Sequence, residues 1–381
     1  MNDTYNRSLE LHEKLKGKIA LSSKKTIKTR DDLSLLYTPG VAAACKEIDK
    51  NKDDVWRYTS RGNWVAIVSD GSAVLGLGNI GPEASLPVME GKAVLFKEFA
   101  DVDAFPICLA TQDVDEIVET VKRLAPSFGG INLEDISAPR CFEIEERLKA
   151  ELDIPIFHDD QHGTAIVVLA GLINAAKVIG SELKDLSYVI SGAGAAGVAI
   201  TKLLLHQGVK DIIVADSKGI ISKKRADLNI AKQELSRITN SEQMNGTLED
   251  AVKNRDVFIG VSAPNIMNTK MVQSMNKDSI IFALSNPTPE IMPDVAKKAG
   301  ARIVATGRSD FPNQVNNVLA FPGIFKGVFE ARGKKITPAM KLAAAQALSN
   351  YVTHPSEEQI IPDVLDKAVT ITVAKAVKEK A

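Results

Sequence analysis

The stretch YVISGAGAAG, residues 188–197, decides the fold of this chain. An apolar run of four residues is typical of a buried strand, and a G-x-G-x-x-G pattern follows it at once. The first glycine permits a tight turn, the second lets backbone approach a pyrophosphate, and the third lets the next helix pack close to the strand. The helix N-terminus would then hold the phosphates. The cofactor-binding residues predicted here are Gly192, Gly194, Ala195, Ala196 and Gly197.

The next predicted strand, 211–215, ends at Asp216. Its carboxylate can accept hydrogen bonds from both ribose hydroxyls of NAD, and it would repel the 2′-phosphate of NADP. We therefore predict a preference for NAD. Lys218 and the basic run 223–225 leave NADP as an alternative, because they would accept a 2′-phosphate if Asp216 turned outward.

Strands alternate with helices on both sides of this stretch. Strands alternating with helices of about 10–15 residues predict parallel sheets covered on both faces. The predicted strands lie at 64–69, 105–110, 130–133, 155–157, 188–191, 211–215, 257–260, 279–284 and 302–305. The predicted helices lie at 5–20, 82–100, 113–125, 139–150, 161–179, 195–206, 317–331, 337–350 and 361–378. The fold class is thus α/β, with an α/β substrate and metal domain, a Rossmann-type doubly wound parallel-sheet domain, and C-terminal helices.

A second G-x-G-x-x-G copy, at Gly76, Gly78 and Gly81, lacks the context of the first. Pro82 follows it at once, and no later strand ends in an acidic residue at the right distance. We interpret it as a tight loop of the substrate domain.

The composition of the 381 residues is that of an ordinary globular protein, with 45% hydrophobic and 25% charged residues. A net charge of -1 gives no sign of nucleic acid or an anionic membrane surface as partner. No uninterrupted apolar run reaches the roughly 18 residues of a membrane span, and the N-terminus lacks an apolar signal core. Three widely spaced cysteines fit a reducing compartment. A cytoplasmic location is expected.

Two acidic pairs follow predicted strands. Glu134 and Asp135 come after the third strand, and Asp159 and Asp160 come after the fourth. Ligands of open α/β sheets bind outside the carboxyl ends of the strands. Four carboxylates meeting there would repel one another without a cation, and oxygen ligands favour Mg²⁺ or Mn²⁺ over zinc. The residues alone leave open a second interpretation, in which the acids cap helix N-termini.

His158 and His162 are four residues apart in HDDQH, a spacing that zinc proteases use. However, His158 lies at a strand end, and no glutamate follows it as H-E-x-x-H requires. We therefore predict structural histidines, or histidines that support metal ligands.

Six motifs occur in order from about residue 30 onward: YTPGVA at 37–42, EGKAVLFK at 90–97, NLEDI at 132–136, HDDQHGTA at 158–165, LSNPTPE at 284–290 and NNVLAFPG at 316–323. Together with the glycine turn they resemble malic enzymes, particularly the short bacterial type. The resemblance implies metal-dependent oxidative decarboxylation of (S)-malate to pyruvate and CO₂, with reduction of NAD or NADP. It also implies a homodimer or higher homo-oligomer, and C-terminal helices that pack back on the first domain. The domains would be 1–158 plus 317–381 for substrate and 159–316 for the dinucleotide.

The resemblance also assigns roles. Tyr37 matches the general acid of the family, Lys92 its general base, and Asp159 the carboxylate that orients the lysine. A free lysine is a poor base at neutral pH, so we expect burial and the nearby dication to lower the pKa of Lys92. The implied metal ligands are Glu134, Asp135 and Asp160, and the implied substrate amides are Asn286, which also lies near the nicotinamide, and Asn317.

Single residues keep alternative interpretations. Tyr37 alone fits a core tyrosine, and Lys92, beside an apolar helix stripe, fits a lysine that extends its amine to water. One position departs from larger malic enzymes, in which an arginine that binds a substrate carboxylate stands where this chain has Ala73. The rival functions are an amino-acid dehydrogenase without an acidic metal site, and a dinucleotide-sensing regulator without catalysis.

Overall fold

The computed structural model describes residues 2–74 and 76–381 and begins with a helical N-terminal arm, residues 2–58. No described residue of its second and third helices is buried. The first helix ends at Leu15 and not at residue 20 as predicted, because Lys16 and Gly17 take positive φ angles of 54° and 106°. The helices of the arm are α1 (Asn2–Leu15), α2 (Arg30–Leu36), α3 (Val41–Lys50) and α4 (Val55–Tyr58).

The first sheet is parallel and has the strand order β2-β1-β3-β4. Its strands are β1 (Trp64–Ser69), β2 (Asp103–Cys108), β3 (Gly130–Leu133) and β4 (Ile156–His158). Its helices are α5 (Gly81–Ala100), α6 (Val114–Leu124) and α7 (Arg140–Glu151). Strand β2 begins and ends two residues earlier than predicted, because its ladder with β1 runs from Trp64↔Asp103 to Ser69↔Cys108.

A long core helix, α8 (Asp159–Ile179), follows β4 directly. It has the length and mean hydropathy of a membrane span, but 67% of its apolar window is buried inside the protein. Gly180, at φ 74°, ends it as a left-handed C-cap. Such burial is typical of the central helix of a two-layer packing.

The second sheet has six strands in the order β10-β9-β8-β5-β6-β7, parallel except for β7. Its strands are β5 (Tyr188–Ser191), β6 (Ile212–Asp216), β7 (Gly219–Ile220), β8 (Val257–Gly260), β9 (Ile280–Ala283) and β10 (Ile303–Thr306). Its helices are α9 (Ala195–His206), α10 (Ile230–Ile238), α11 (Leu248–Val252), α12 (Thr269–Gln273) and α13 (Pro293–Lys298). The predicted α/β class with a Rossmann-type second sheet is confirmed.

The C-terminal helices are α14 (Phe321–Glu330), α15 (Pro338–Tyr351) and α16 (Lys367–Lys378). The ring of Phe96 on α5 lies 4.7 Å from that of Phe321 and 5.4 Å from that of Phe325. On α8, the Asn174 amide donates to the carbonyl oxygens of Ser349 and Ile360. Helix α14 therefore contacts α5 of the first sheet, and the segment after it contacts α8.

The second glycine copy is a loop, as predicted. Gly76, Gly78 and Gly81 have φ angles of 73°, 77° and 79°, and no strand precedes them in the way β5 precedes Gly192. A side chain at position 76 would come within 2.9 Å of the Asn286 carbonyl oxygen. This glycine therefore lets the loop of the first sheet approach the end of β9.

Candidate active site

The carboxyl ends of β3 and β4 bring the two acidic pairs together. The strands are neighbours, with Leu133 opposite His158, so the residues that follow them share one edge of the sheet. Asp159 and Asp160 form the first turn of α8, whose N-cap is His158. Pro139 is the N-cap of α7. None of the four carboxylates caps a helix, so the capping interpretation is wrong.

Glu134, Asp135 and Asp160 offer oxygen atoms that all lie within 4.8 Å of one another. Asp135 Oδ2 is buried and has no hydrogen-bond partner among the described residues. The Asp135 backbone N–H donates to Asp160 Oδ2 at 2.8 Å, which fixes the two acids relative to each other. A cluster of oxygen ligands with one orphaned buried oxygen fits a hard divalent cation such as Mg²⁺ or Mn²⁺.

The electrostatics of these acids favour a cation. Burial, with the charge of Asp160, raises the pKa of Asp135 to about 9. Burial also raises the pKa of Glu134 to about 8, although Lys92 opposes the shift. Burial alone would raise the pKa of Asp160, but the imidazole of His158, 3.3 Å away, lowers it. A bound dication would let all three ionise at neutral pH.

Lys92 extends from α5 into the same cluster. Its Nζ lies 2.6 Å from Asp159 Oδ2 and 2.8 Å from Glu134 Oε1, and only 11% of its side chain is exposed. It also lies 4.3 Å from the centre of the Phe321 ring. Lys92 is therefore enclosed, and the interpretation that it extends its amine to water is wrong.

The pKa of Lys92 depends on whether a cation shares the cluster. Within the protein's own residues burial alone would lower it, but the charges of Asp159 and Glu134 outweigh burial and raise it. The sequence expectation was a lowering by burial together with a dication, and it stays a prediction for the metal-bound site. A cation that shares the Glu134 charge would weaken this stabilisation of the ammonium.

The glycine turn after β5 has the geometry that its sequence predicts. A Cβ on Gly197 would lie 1.8 Å from the Gly192 carbonyl oxygen, and one on Gly192 would lie 2.6 Å from the Val261 carbonyl oxygen. A Cβ on Gly194 would meet no atom within 4 Å. The first and third glycines are therefore required by the protein itself, whereas the second leaves open space where a pyrophosphate can approach α9.

Two domain models of one family match the chain. The model for the N-terminal domain of malic enzyme matches residues 16–149, and the model for its NAD-binding domain matches residues 161–381. The chain belongs to the malic enzyme family.

The relatives of this malic enzyme include proteins named for either cofactor. It is 57% identical over 377 residues to the bifunctional malic/malolactic enzyme of Bacillus subtilis, covering 98% of this chain and 92% of that one. It is 55% identical to the NAD-dependent malic enzyme of Geobacillus stearothermophilus, covering 96% and 77%. It is 44% identical to the NADP-dependent malic enzyme of Escherichia coli, of which it spans 53%. The solved NAD-dependent malic enzyme of Thermotoga maritima superposes with a TM-score of 0.94 at 52% identity, covering 97% and 98% of the chains.

The predicted ribose ligand of this malic enzyme, Asp216, is held by two cations. Its Oδ1 accepts from Arg225 at 2.7 Å and its Oδ2 accepts from Lys232 at 2.7 Å. Burial alone would raise its pKa, but these partners lower it to about 2. The side chain of Asp216 has not turned outward. Its carboxylate is nevertheless paired with Arg225 and Lys232, so these two cations compensate most of the negative charge that was expected to repel NADP. Arg225 lies in the basic run seen in the sequence, whereas Lys232 does not.

The two predicted amides take different places. Asn317 donates to Asp159 Oδ2 at 3.0 Å and accepts from the Thr164 hydroxyl at 3.2 Å. It is thus part of the cluster around Lys92. Asn286 is half-buried between the Gly76 loop and Gly307. A Cβ added to Gly307 would lie 2.5 Å from the Asn286 amide nitrogen.

Tyr37 is not brought into the cluster. It is the C-cap residue of α2, 68% exposed, and its hydroxyl makes no hydrogen bond to any residue in the described ranges. The interpretation of Tyr37 as a core tyrosine is therefore wrong for the single chain.

Each of the two histidines lies beside an acid, and only the acid beside His158 belongs to the oxygen cluster. His158 is fully buried beside Asp160, and the His162 Nε2 lies 2.8 Å from Glu145 Oε1. Neither belongs to the cluster of possible metal ligands found among the described residues.

Sequence reasoning missed Asp70 and its partner Arg140. Asp70 is 1% exposed, directly after β1, and accepts from Arg140 Nη2 at 2.9 Å. The same guanidinium donates to the Ser72 hydroxyl at 3.0 Å, and the Ala73 backbone N–H donates to the Asp135 carbonyl oxygen at 2.9 Å. The rule that selected acids after β3 and β4 also selects Asp70, so this signal was present in the sequence.

Proposed function

We propose that this protein oxidises and decarboxylates (S)-malate to pyruvate and CO₂ while it reduces NAD or NADP, in a reaction that requires Mg²⁺ or Mn²⁺. The observation that carries this proposal is the contact of the buried Lys92 with Glu134, a member of the oxygen cluster. This contact supports Lys92 as the proton acceptor beside a site for a dication, once the cation has taken over the charge of Glu134. A dehydrogenase that only interconverts malate and oxaloacetate needs no such metal site, and an amino-acid dehydrogenase should lack it.

Different residues carry out the two proton transfers of the proposed reaction. Lys92 would remove the proton of the C2 hydroxyl as hydride leaves C2 for the nicotinamide, and Asp159 would hold the amine in position. The metal, when held by Glu134, Asp135 and Asp160, supplies the positive charge that stabilises negative charge developing on the malate oxygens. Asn317, bound to Asp159, and Asn286 are proposed to contact substrate, and Asn286 also the nicotinamide.

After CO₂ leaves, C3 must receive a proton, and we propose Tyr37 as its donor. An acid that works at C3 must be enclosed with the substrate, whereas Tyr37 is 68% exposed in the single chain. The N-terminal arm around it exposes further large apolar residues, namely Leu9, Leu15, Leu33, Leu35, Leu36 and Val41. So many large apolar residues exposed on one segment favour an interaction surface. We therefore propose a homodimer or higher homo-oligomer in which this face, including Tyr37, is covered.

The oligomer proposal is tested by Leu36→Glu, with Leu365→Glu as control. Both leucines are exposed, by 44% and 76%, but only the first lies on the arm. Light scattering after size exclusion should show a loss of the oligomer for Leu36→Glu alone, because a buried carboxylate destabilises an apolar interface. A monomeric wild type, or oligomers that persist equally in both variants, would contradict the proposal.

We further propose that residues 1–158 with 317–381 form the substrate domain, that 159–316 form the dinucleotide domain, and that the enzyme is cytoplasmic. The ring contacts of Phe96 with Phe321 and Phe325 support the return of the C-terminal segment to the first domain.

The proposed reaction is tested by cofactor reduction with malate, with and without Mn²⁺. Excess EDTA should abolish the reaction, and Mn²⁺ or Mg²⁺ should restore it. Glu134→Gln should raise the Mn²⁺ concentration required by about 10-fold or more. The matched control, Glu143→Gln, changes an acid on α7 whose side chain is 61% exposed. Full turnover in EDTA, with metal content verified as nil, would end the metal hypothesis.

A further inference from the structure

A large cavity lies beside the proposed active site, and its wall includes Gln161 and His162, which directly follow Asp160. Its volume is about 910 Å³, within the range of cavities that bind small organic ligands. Its walls come from α7, α8, α9, α10 and the start of α15, so it joins helices of both sheets. None of the residues proposed to bind metal, malate or cofactor lines it.

Much of the wall is apolar. Phe142 on α7, Ile166 on α8, Val198 and Leu203 on α9, and Ile230 on α10 face the cavity. Ile230 is 86% exposed, which is unusual for an isoleucine and leaves apolar surface at the rim without cover in the single chain. These side chains favour a ligand with an apolar body.

Glu145, the buried acid in the cavity wall, already has hydrogen-bonding and ionic partners within the protein. Glu145 is 5% exposed and accepts from the His158 backbone N–H at 3.2 Å, from Gln161 at 3.2 Å and from His162 at 2.8 Å. It also forms an ion pair with Lys149 at 2.6 Å. It therefore has little capacity left for a further cation.

Among the lysines that line the cavity, Lys341 on α15 differs from Lys149 and Lys202, which both form ion pairs. Its ammonium makes no hydrogen bond or ion pair within the described part of the chain, although it lines the cavity. Burial, together with repulsion by Lys149, lowers its pKa to about 7, and the attraction of Glu145 does not restore it. Lys202, on another wall of the same cavity, differs, because it is paired with Glu234 at 2.8 Å. An apolar part of the wall next to a lysine without an ion pair is complementary to an anionic group with an apolar body, and the acids Glu143 and Glu146 of the same cavity are exposed to water.

We infer that this cavity binds a small organic anion, whose anionic group pairs with Lys341 and whose apolar body lies against α9 and α10. A ligand so placed would bridge the helices of the two sheets. Glu145 would position one wall of the site, because it ties α7 to the first turn of α8.

Octanoate, a carboxylate with an unbranched apolar tail, is the probe. Isothermal titration calorimetry with the full-length protein, saturated with Mn²⁺ and NAD, should show 1:1 binding. Lys341→Met should weaken octanoate binding by about 10-fold or more, because one charge-assisted hydrogen bond is lost. Lys202→Met, the matched control on the same cavity, should change it less than about 2-fold. Neutral 1-octanol should bind wild type and Lys341→Met alike.

The folded state of Lys341→Met is checked by its thermal midpoint, which should equal or exceed that of the wild type, since an apolar side chain replaces a half-buried amine that has no ion pair among the described residues. Absence of octanoate binding to the wild type, or equal affinity in Lys341→Met, would overturn the inference. The measurement needs no turnover, so its failure is separate from failure of the proposed reaction.

Discussion

Cofactor choice depends on how far Asp216 is neutralised. We expect NAD to be preferred over NADP by only about 10-fold, because the ribose hydrogen bonds to Asp216 favour NAD while Arg225 and Lys232 offset the repulsion of a 2′-phosphate. Arg225 and Lys232 both contact the carboxylate at 2.7 Å, so a 2′-phosphate would meet one negative and two positive side chains. Two substitutions separate these charges. Lys232→Met leaves only Arg225 to compensate the negative charge of Asp216. Asp216→Ala removes that charge and leaves both Arg225 and Lys232 free to contact a 2′-phosphate.

The size of each effect follows from Coulomb's law. A 2′-phosphate about 5 Å from one unit charge, at an effective dielectric constant of about 40–80, changes the binding free energy by about 1–2 kcal/mol. This corresponds to a factor of about 5–30. Lys232→Met should therefore increase the preference for NAD by about this factor. Asp216→Ala should improve the use of NADP by a similar factor, and it should weaken NAD through the lost ribose hydrogen bonds.

The assay is kcat/KM for each cofactor with malate and Mn²⁺ saturating. Lys202→Met is the control, because it removes a lysine of the same domain that is paired with Glu234 and not with Asp216. It should leave the ratio of the two cofactors unchanged. The reasoning is refuted if the wild type prefers NADP, if Lys232→Met improves NADP, or if Asp216→Ala impairs NADP more than NAD.

Three further outcomes are expected. Lys92→Ala should lose both the overall reaction and the reduction of oxaloacetate. Tyr37→Phe should lose only the overall reaction, because the acid acts after decarboxylation. Equal loss of both activities in both variants would contradict the assignment of Lys92 as base and Tyr37 as acid. Gly194→Ala should raise the KM for NAD yet change the free energy of unfolding by less than about 0.5 kcal/mol, since its Cβ meets only open space. Gly197→Ala should destabilise the fold in chemical denaturation by about 1–3 kcal/mol, because its Cβ would overlap the Gly192 carbonyl; equal stability of the two alanine variants would contradict this interpretation.

Much of the site could be predicted because it lies at the ends of strands. Apolar runs marked β3 and β4, and the residues directly after them form the cluster of oxygen ligands proposed to hold the metal. The same rule applied to β1 gives Asp70, which was overlooked although its position carried the same signal. The motifs that resemble malic enzymes added Lys92 and Asp159, which periodicity alone could not connect.

The sequence by itself determined the elements, the glycine turn and the acids at the strand ends, because these depend on residues adjacent along the chain. Tertiary structure alone decided which charges meet. Lys92 reaches two carboxylates that raise its pKa, Lys232 crosses from α10 to Asp216, and Lys341 forms no ion pair within residues 2–74 and 76–381. Tyr37 stays exposed because the arm packs no buried residue around it. Burial and Coulomb interactions act through space between elements far apart in sequence, so no local pattern specifies them.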